Sequence, residues 1–67
     1  MKNPVKLTLV GIDGNAYSIM GHWQRAARKA GWTQPEIDEV LNEARSSDYD
    51  HLLITIIENS VDPGEDE

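Results

Sequence analysis

The stretch Trp32-Thr33-Gln34-Pro35-Glu36-Ile37 decides how this chain is read. Thr33 and Glu36 have the spacing of a capping box, in which the threonine hydroxyl accepts from the backbone N–H three residues on and the glutamate returns the bond. Trp32 precedes the cap and Ile37 falls at the fourth helical position, the two places joined by a hydrophobic staple. The stretch therefore predicts a helix over about 34–45. Ile37, Val40, Leu41 and Ala44 give that helix one apolar face, and Asp38, Glu39 and Glu43 turn away from it. Arg45 sits in its last turn, where the helix dipole favours a cation.

Working outward toward the N-terminus, Gly31 stands where a left-handed C-cap is wanted, so a preceding helix ends there. Ala16, Ile19, Met20, Trp23, Ala26, Ala27 and Ala30 recur at three and four, and Asn15 is a good N-cap, which predicts a helix over about 16–30. Gly21 inside it costs about 1 kcal/mol relative to alanine, so it is read as the mark of a close backbone approach or a kink. Before this helix, Gly11-Ile12-Asp13-Gly14-Asn15 reads as a turn. Val5, Leu7 and Leu9 alternate with Lys6, Thr8 and Val10, the period of a strand over about 4–10. Asp13-Gly14 is also a hairpin signal, and Tyr17 and Ile19 alternate with small or polar neighbours, so residues 16–20 have a second reading as a short strand.

In the other direction, Ser46-Ser47-Asp48 breaks the middle helix and caps a third, expected over about 48–60. Tyr49, Leu52, Leu53, Ile56, Ile57 and Ser60 line a broad stripe on it, so this most hydrophobic element is expected at the centre of the core. Asp62-Pro63-Gly64 ends it, and residues 61–67 read as a mobile acidic tail. The expected fold is mainly α within an α+β class: one N-terminal strand followed by three helices in a compact bundle, a single small domain over 1–60.

The chain has 67 residues, of which 39% are hydrophobic and 27% charged, and it contains no cysteine. A chain of this size buries only about 60% of the surface its unfolded form exposes. Without cysteine there is no disulfide framework, thiolate metal cluster or thiol nucleophile to supplement that thin core. The apolar runs are too short for a membrane span and no secretory leader is evident, which makes a cytoplasmic location the default expectation. The net charge of −6 divides unequally: residues 1–32 carry five basic residues against Asp13, and residues 33–67 carry Arg45 against eleven acids.

The combination Asp13-Gly14-Asn15, Met20-Gly21, Arg25, Arg28, Gly31-Trp32, Asp48-Tyr49-Asp50 and Leu52-Leu53 resembles a loose family of very short bacterial and phage or mobile-element proteins. These open on a Lys-Leu strand, pass through Asp-Gly-Asn into a helix and close on a Tyr-Asp, Leu-rich helix. The resemblance covers roughly residues 5–59. It implies a compact domain and assigns no activity or functional residue.

Tests for chemistry remove most candidates. His22 and His51 fall on different predicted helices without the H-E-x-x-H spacing of a zinc site. Asp48 and Asp50 are two apart, which splays their carboxylates, and capping accounts for them. Asp13-Gly14-Asn15 lacks the later acidic ligand of a calcium loop. Gly11, Gly14, Gly21 and Gly31 match neither a Walker loop nor a dinucleotide fingerprint. No catalytic residue, cofactor or metal is expected. What remains is a basic stripe, with Ser18, His22, Arg25 and Lys29 at successive turns, Gln24 and Arg28 beside them, and Lys6 and Thr8 on the polar side of the strand.

His22, Arg25, Arg28, Lys29, Lys6 and Thr8 are accordingly the candidate partner-binding residues. The strand over 5–10, with both edges unpaired, needs a cover: the hairpin alternative, packing against the helices as an extended arm, or pairing with a second copy or a partner's sheet, and a homodimer or partner-bound form is expected. The expected function is a non-enzymatic protein-interaction module or small accessory or inhibitor protein. The alternative is a nucleic-acid-associated protein using the basic face of the first helix, which the net negative charge opposes.

Overall fold

Three helices form the regular structure: α1 (Ala16–Lys29), α2 (Gln34–Ala44) and α3 (Tyr49–Glu58). They are seen in a computed structural model that describes residues 3–8 and 11–61. Each begins on a polar cap. The Asn15 side chain accepts from the Tyr17 N–H at 2.8 Å, and Asp48 accepts from the His51 N–H at 2.9 Å. At α2 the capping box is complete: Thr33 Oγ1 accepts from the Glu36 N–H at 3.5 Å and the Glu36 carboxylate accepts from the Thr33 N–H at 2.8 Å. Pro35 lies in the first turn, where a missing N–H leaves no intrahelical bond unmade. Residues 16–20 are helical, because the Asn15 cap and the burial of Ile19, Met20 and Trp23 on one side outweigh the hairpin signal before them.

The turn from α1 into α2 is a Schellman motif. Gly31 has φ +93°, its N–H donates to Arg28 O, and the Trp32 N–H donates to Ala27 O, both at 3.0 Å. That turn delivers Trp32 to the edge of the core, where its ring stands perpendicular to Trp23 with centroids 5.3 Å apart. Gly21 differs from its expected role: a Cβ built there meets nothing within 4 Å, so no second backbone approaches it.

The core is built from Ile19, Met20, Trp23 and Ala27 of α1, Ile37, Val40 and Ala44 of α2, and Leu52, Thr55 and Ile56 of α3. Val5 closes it from the N-terminal segment. The stripe on α3 is narrower than expected. Leu53 is half-buried, whereas Ile57 is 56% exposed and its neighbour Ile54 is 53% exposed.

The expected strand over 4–10 is not formed. Among the described residues there is one parallel bridge, Lys6 with Val61, and no sheet. The Val61 N–H donates to Val5 O at 2.8 Å and the Leu7 N–H donates to Val61 O at 2.9 Å. Leu9 and Val10 lie outside the described residues, as does the expected tail beyond Val61. The segment is instead fastened by side chains: Trp32 Nε1–H donates to Asn3 O at 2.7 Å and Asn3 Nδ2 donates to Ala30 O at 2.5 Å. The observed class is thus a three-helix globule with an extended N-terminal segment, in place of an α+β arrangement.

Candidate partner-binding surfaces

The outward side of α1 carries His22, Arg25, Arg28 and Lys29, all exposed. They do not act as one stripe. Arg28 Nη2 donates to Gln34 Oε1 at 2.7 Å, and Gln34 Nε2 donates in turn to Asp38 Oδ1 at 2.8 Å, which draws this guanidinium toward α2. Lys29 instead meets Lys6 in a shallow groove of about 460 Å³ that Asn3, Pro4, Ala26 and Ala30 complete. Thr8 is exposed on the segment beyond the Lys6 bridge. Both Arg28 and Lys29 lie in the last turn of α1, whose carbonyl end carries partial negative charge. Part of their positive potential is therefore offset by the helix itself.

The second and third helices have the reverse charge. From residue 34 to residue 58 there are seven acids, Glu36, Asp38, Glu39, Glu43, Asp48, Asp50 and Glu58, against Arg45. Arg45 is the C-cap of α2, one position past the last turn it was expected to occupy, and it donates to Asn42 Oδ1 at 2.6 Å. His51 Nε2 is 2.9 Å from Glu43 Oε2, so this imidazole is engaged between α3 and α2. α3 itself contains no lysine or arginine. Its outward side presents Ile54 and Ile57, one helical turn apart, with Asp50 and Glu58 exposed at its two ends.

Beyond that end, a groove of about 790 Å³ runs between the N-terminal segment and the close of α3. Trp32, Glu36, Glu58 and the exposed Val61 are among its walls. Local chemistry places each of them. The capping box orients Glu36, the bond to Asn3 O orients the indole of Trp32, and Trp23 Nε1–H donating to Asn59 O at 3.2 Å holds the end of α3 against the core. A third, smaller groove of about 350 Å³ lies between α1 and α3, with Tyr17, Met20, Tyr49 and Leu52 in its walls; the Tyr49 hydroxyl donates to Gly14 O.

Among the described residues no three histidine, aspartate or glutamate side chains converge as metal ligands. None of the helices described is long and apolar enough to cross a membrane. Reasoning from the sequence missed the exposed pair Ile54 and Ile57 and the groove beside Trp32. One signal for the first was present: Leu52, Leu53, Ile54, Ile56 and Ile57 span more than one face of any helix, so some must point outward. The chain matches no protein-family model, no curated protein and no solved structure.

Proposed function

We propose that the chain is a non-enzymatic protein-interaction module, of a size suited to an accessory or inhibitory subunit, and that it engages its partner through the outward side of α3. The observation that carries this reading is the exposure of Ile54 and Ile57 by more than half, while Ile19, Ile37 and Ile56 are buried. Adjacent exposed aliphatics bordered by charged residues are the composition of a protein-docking surface. Affinity capture from a native lysate treated with nuclease tests it, comparing the natural chain with an Ile54→Lys, Ile57→Lys variant whose helicity is verified by circular dichroism. A captured protein that survives nuclease and is lost with the variant supports the reading. Equal recovery by both chains contradicts it.

A second reading, association with nucleic acid, is favoured by the convergence of Lys6 and Lys29 on one groove. Its mark is affinity that falls steeply with salt and is abolished by Arg25→Glu with Lys29→Glu. Pairing of two copies through residues 5–10 is a further proposal. Val61 already occupies the backbone of Val5 and Leu7 on one side of that segment.

A further inference from the structure

We propose that residues 62–67 fold back onto the outward side of α1 and pair with Arg25 and Lys29, so that an acidic segment of the chain covers its own basic surface. This stands independently of the docking side on α3. The segment reads Asp62-Pro63-Gly64-Glu65-Asp66-Glu67, four carboxylates in six positions with no basic residue, and Pro63-Gly64 is a turn signal. It follows directly on Val61, the last described residue.

The place where the segment starts is fixed. The Val61 N–H donates to Val5 O at 2.8 Å and the Leu7 N–H donates to Val61 O at 2.9 Å, which makes Val61 the bridge partner of Lys6. Lys6 in turn lines the groove of about 460 Å³ that Lys29 also lines. Six extended residues reach at most about 20 Å, so both this groove and the larger one bordered by Val61 are open to the acids at 65–67. Charge decides between them. The larger groove contains Glu58, which is exposed and of like sign. The smaller one offers Lys29, with Arg25 one helical turn before it on the same face of α1. Both cations are exposed, and neither forms a side-chain hydrogen bond or ion pair with another described residue, whereas Arg28 is drawn to Gln34. Exposed ion pairs are individually weak, but a short tether holds the acids near these cations at an effective concentration of about millimolar. An outside anionic ligand approaching Arg25 and Lys29 therefore has to displace the segment first.

The test is paramagnetic broadening of backbone amides by NMR in the full chain. The sequence has no cysteine, so Gly64→Cys gives one attachment point for a nitroxide and leaves all four acids in place. The labelled chain is compared with one in which the acids are neutralised (Asp62→Asn, Glu65→Gln, Asp66→Asn, Glu67→Gln) and with an Arg25→Gln, Lys29→Gln variant, each at low and high salt and each verified by circular dichroism to be folded. The expected result is broadening at residues 26, 29 and 30 that falls severalfold in either neutralised variant and in high salt, while broadening at Ser60, beside the tether, stays constant. Equal broadening of these α1 amides by the charged and the neutralised segment overturns the proposal, as does a pattern centred on α2 or on the outward side of α3. A mixture of spin-labelled chains with isotope-labelled chains free of nitroxide covers the remaining case. Broadening in the nitroxide-free copy shows that the segment reaches a second molecule and overturns the intramolecular cover.

Discussion

Thr33 and Glu36 exchange two hydrogen bonds at the start of α2, and together they satisfy backbone donors that a helix start otherwise leaves to water. Thr33→Ala is expected to destabilise the fold by about 1 kcal/mol, read as a lower urea midpoint with unchanged slope. Two glycines give opposite predictions. Gly31 holds φ +93°, so Gly31→Ala places a Cβ in the left-handed region and costs about 1–2 kcal/mol. Gly21 is helical with open space where its Cβ would stand, so Gly21→Ala raises stability by about 0.5–1 kcal/mol in the same titration. The caps at Asn15, Thr33 and Asp48 and the glycine at the end of α1 were legible in the sequence because each is a bond or torsion within a few residues. Gly21 was not, since what surrounds it depends on how distant elements pack.

At the scale of elements, helix periodicity located α1, α2 and α3 to within one or two residues at each end, but it did not settle which apolar residues of α3 face inward. That choice belongs to packing. α3 turns Leu52, Thr55 and Ile56 to the core, and five large apolar residues among six positions exceed what one face accommodates. The N-terminal segment was legible as extended and not as unpaired to a sheet, because among the described residues its bridge partner is Val61, more than fifty positions away. Its attachment is small and specific. Val61→Pro removes the donor to Val5 O and is expected to speed exchange of the Leu7 amide in hydrogen-exchange mass spectrometry or NMR, with the amides of α2 remaining protected. Uniform loss of protection over all three helices would show that the segment is instead essential to the core.

For the whole molecule, a radius of gyration of 11.2 Å agrees with the roughly 11 Å expected of a folded chain of this length, so the helices form a self-contained body. Its charge divides by element: exposed basic residues lie on α1, and α3 carries the exposed acids Asp50 and Glu58 with no lysine or arginine. The charge division was legible by counting, whereas the candidate site was not. Attention to basic residues alone points to α1, where Arg28 is drawn to Gln34 and Lys29 offsets the helix end. Attention to exposed apolar area points to α3. An interaction steered by the acidic pole weakens as salt rises, since charges farther apart than about 10 Å are screened at 0.1 M ionic strength, and its apolar contact retains residual affinity at high salt.

Site-specific photo-crosslinking in a native extract distinguishes the two poles most directly. A photoreactive phenylalanine analogue replaces Ile57 in one variant and Arg25 in another, each verified to be folded. The account predicts a discrete protein adduct from position 57, insensitive to nuclease, and none of comparable yield from position 25. Adducts confined to position 25, or nucleic acid recovered there with position 57 silent, would contradict it.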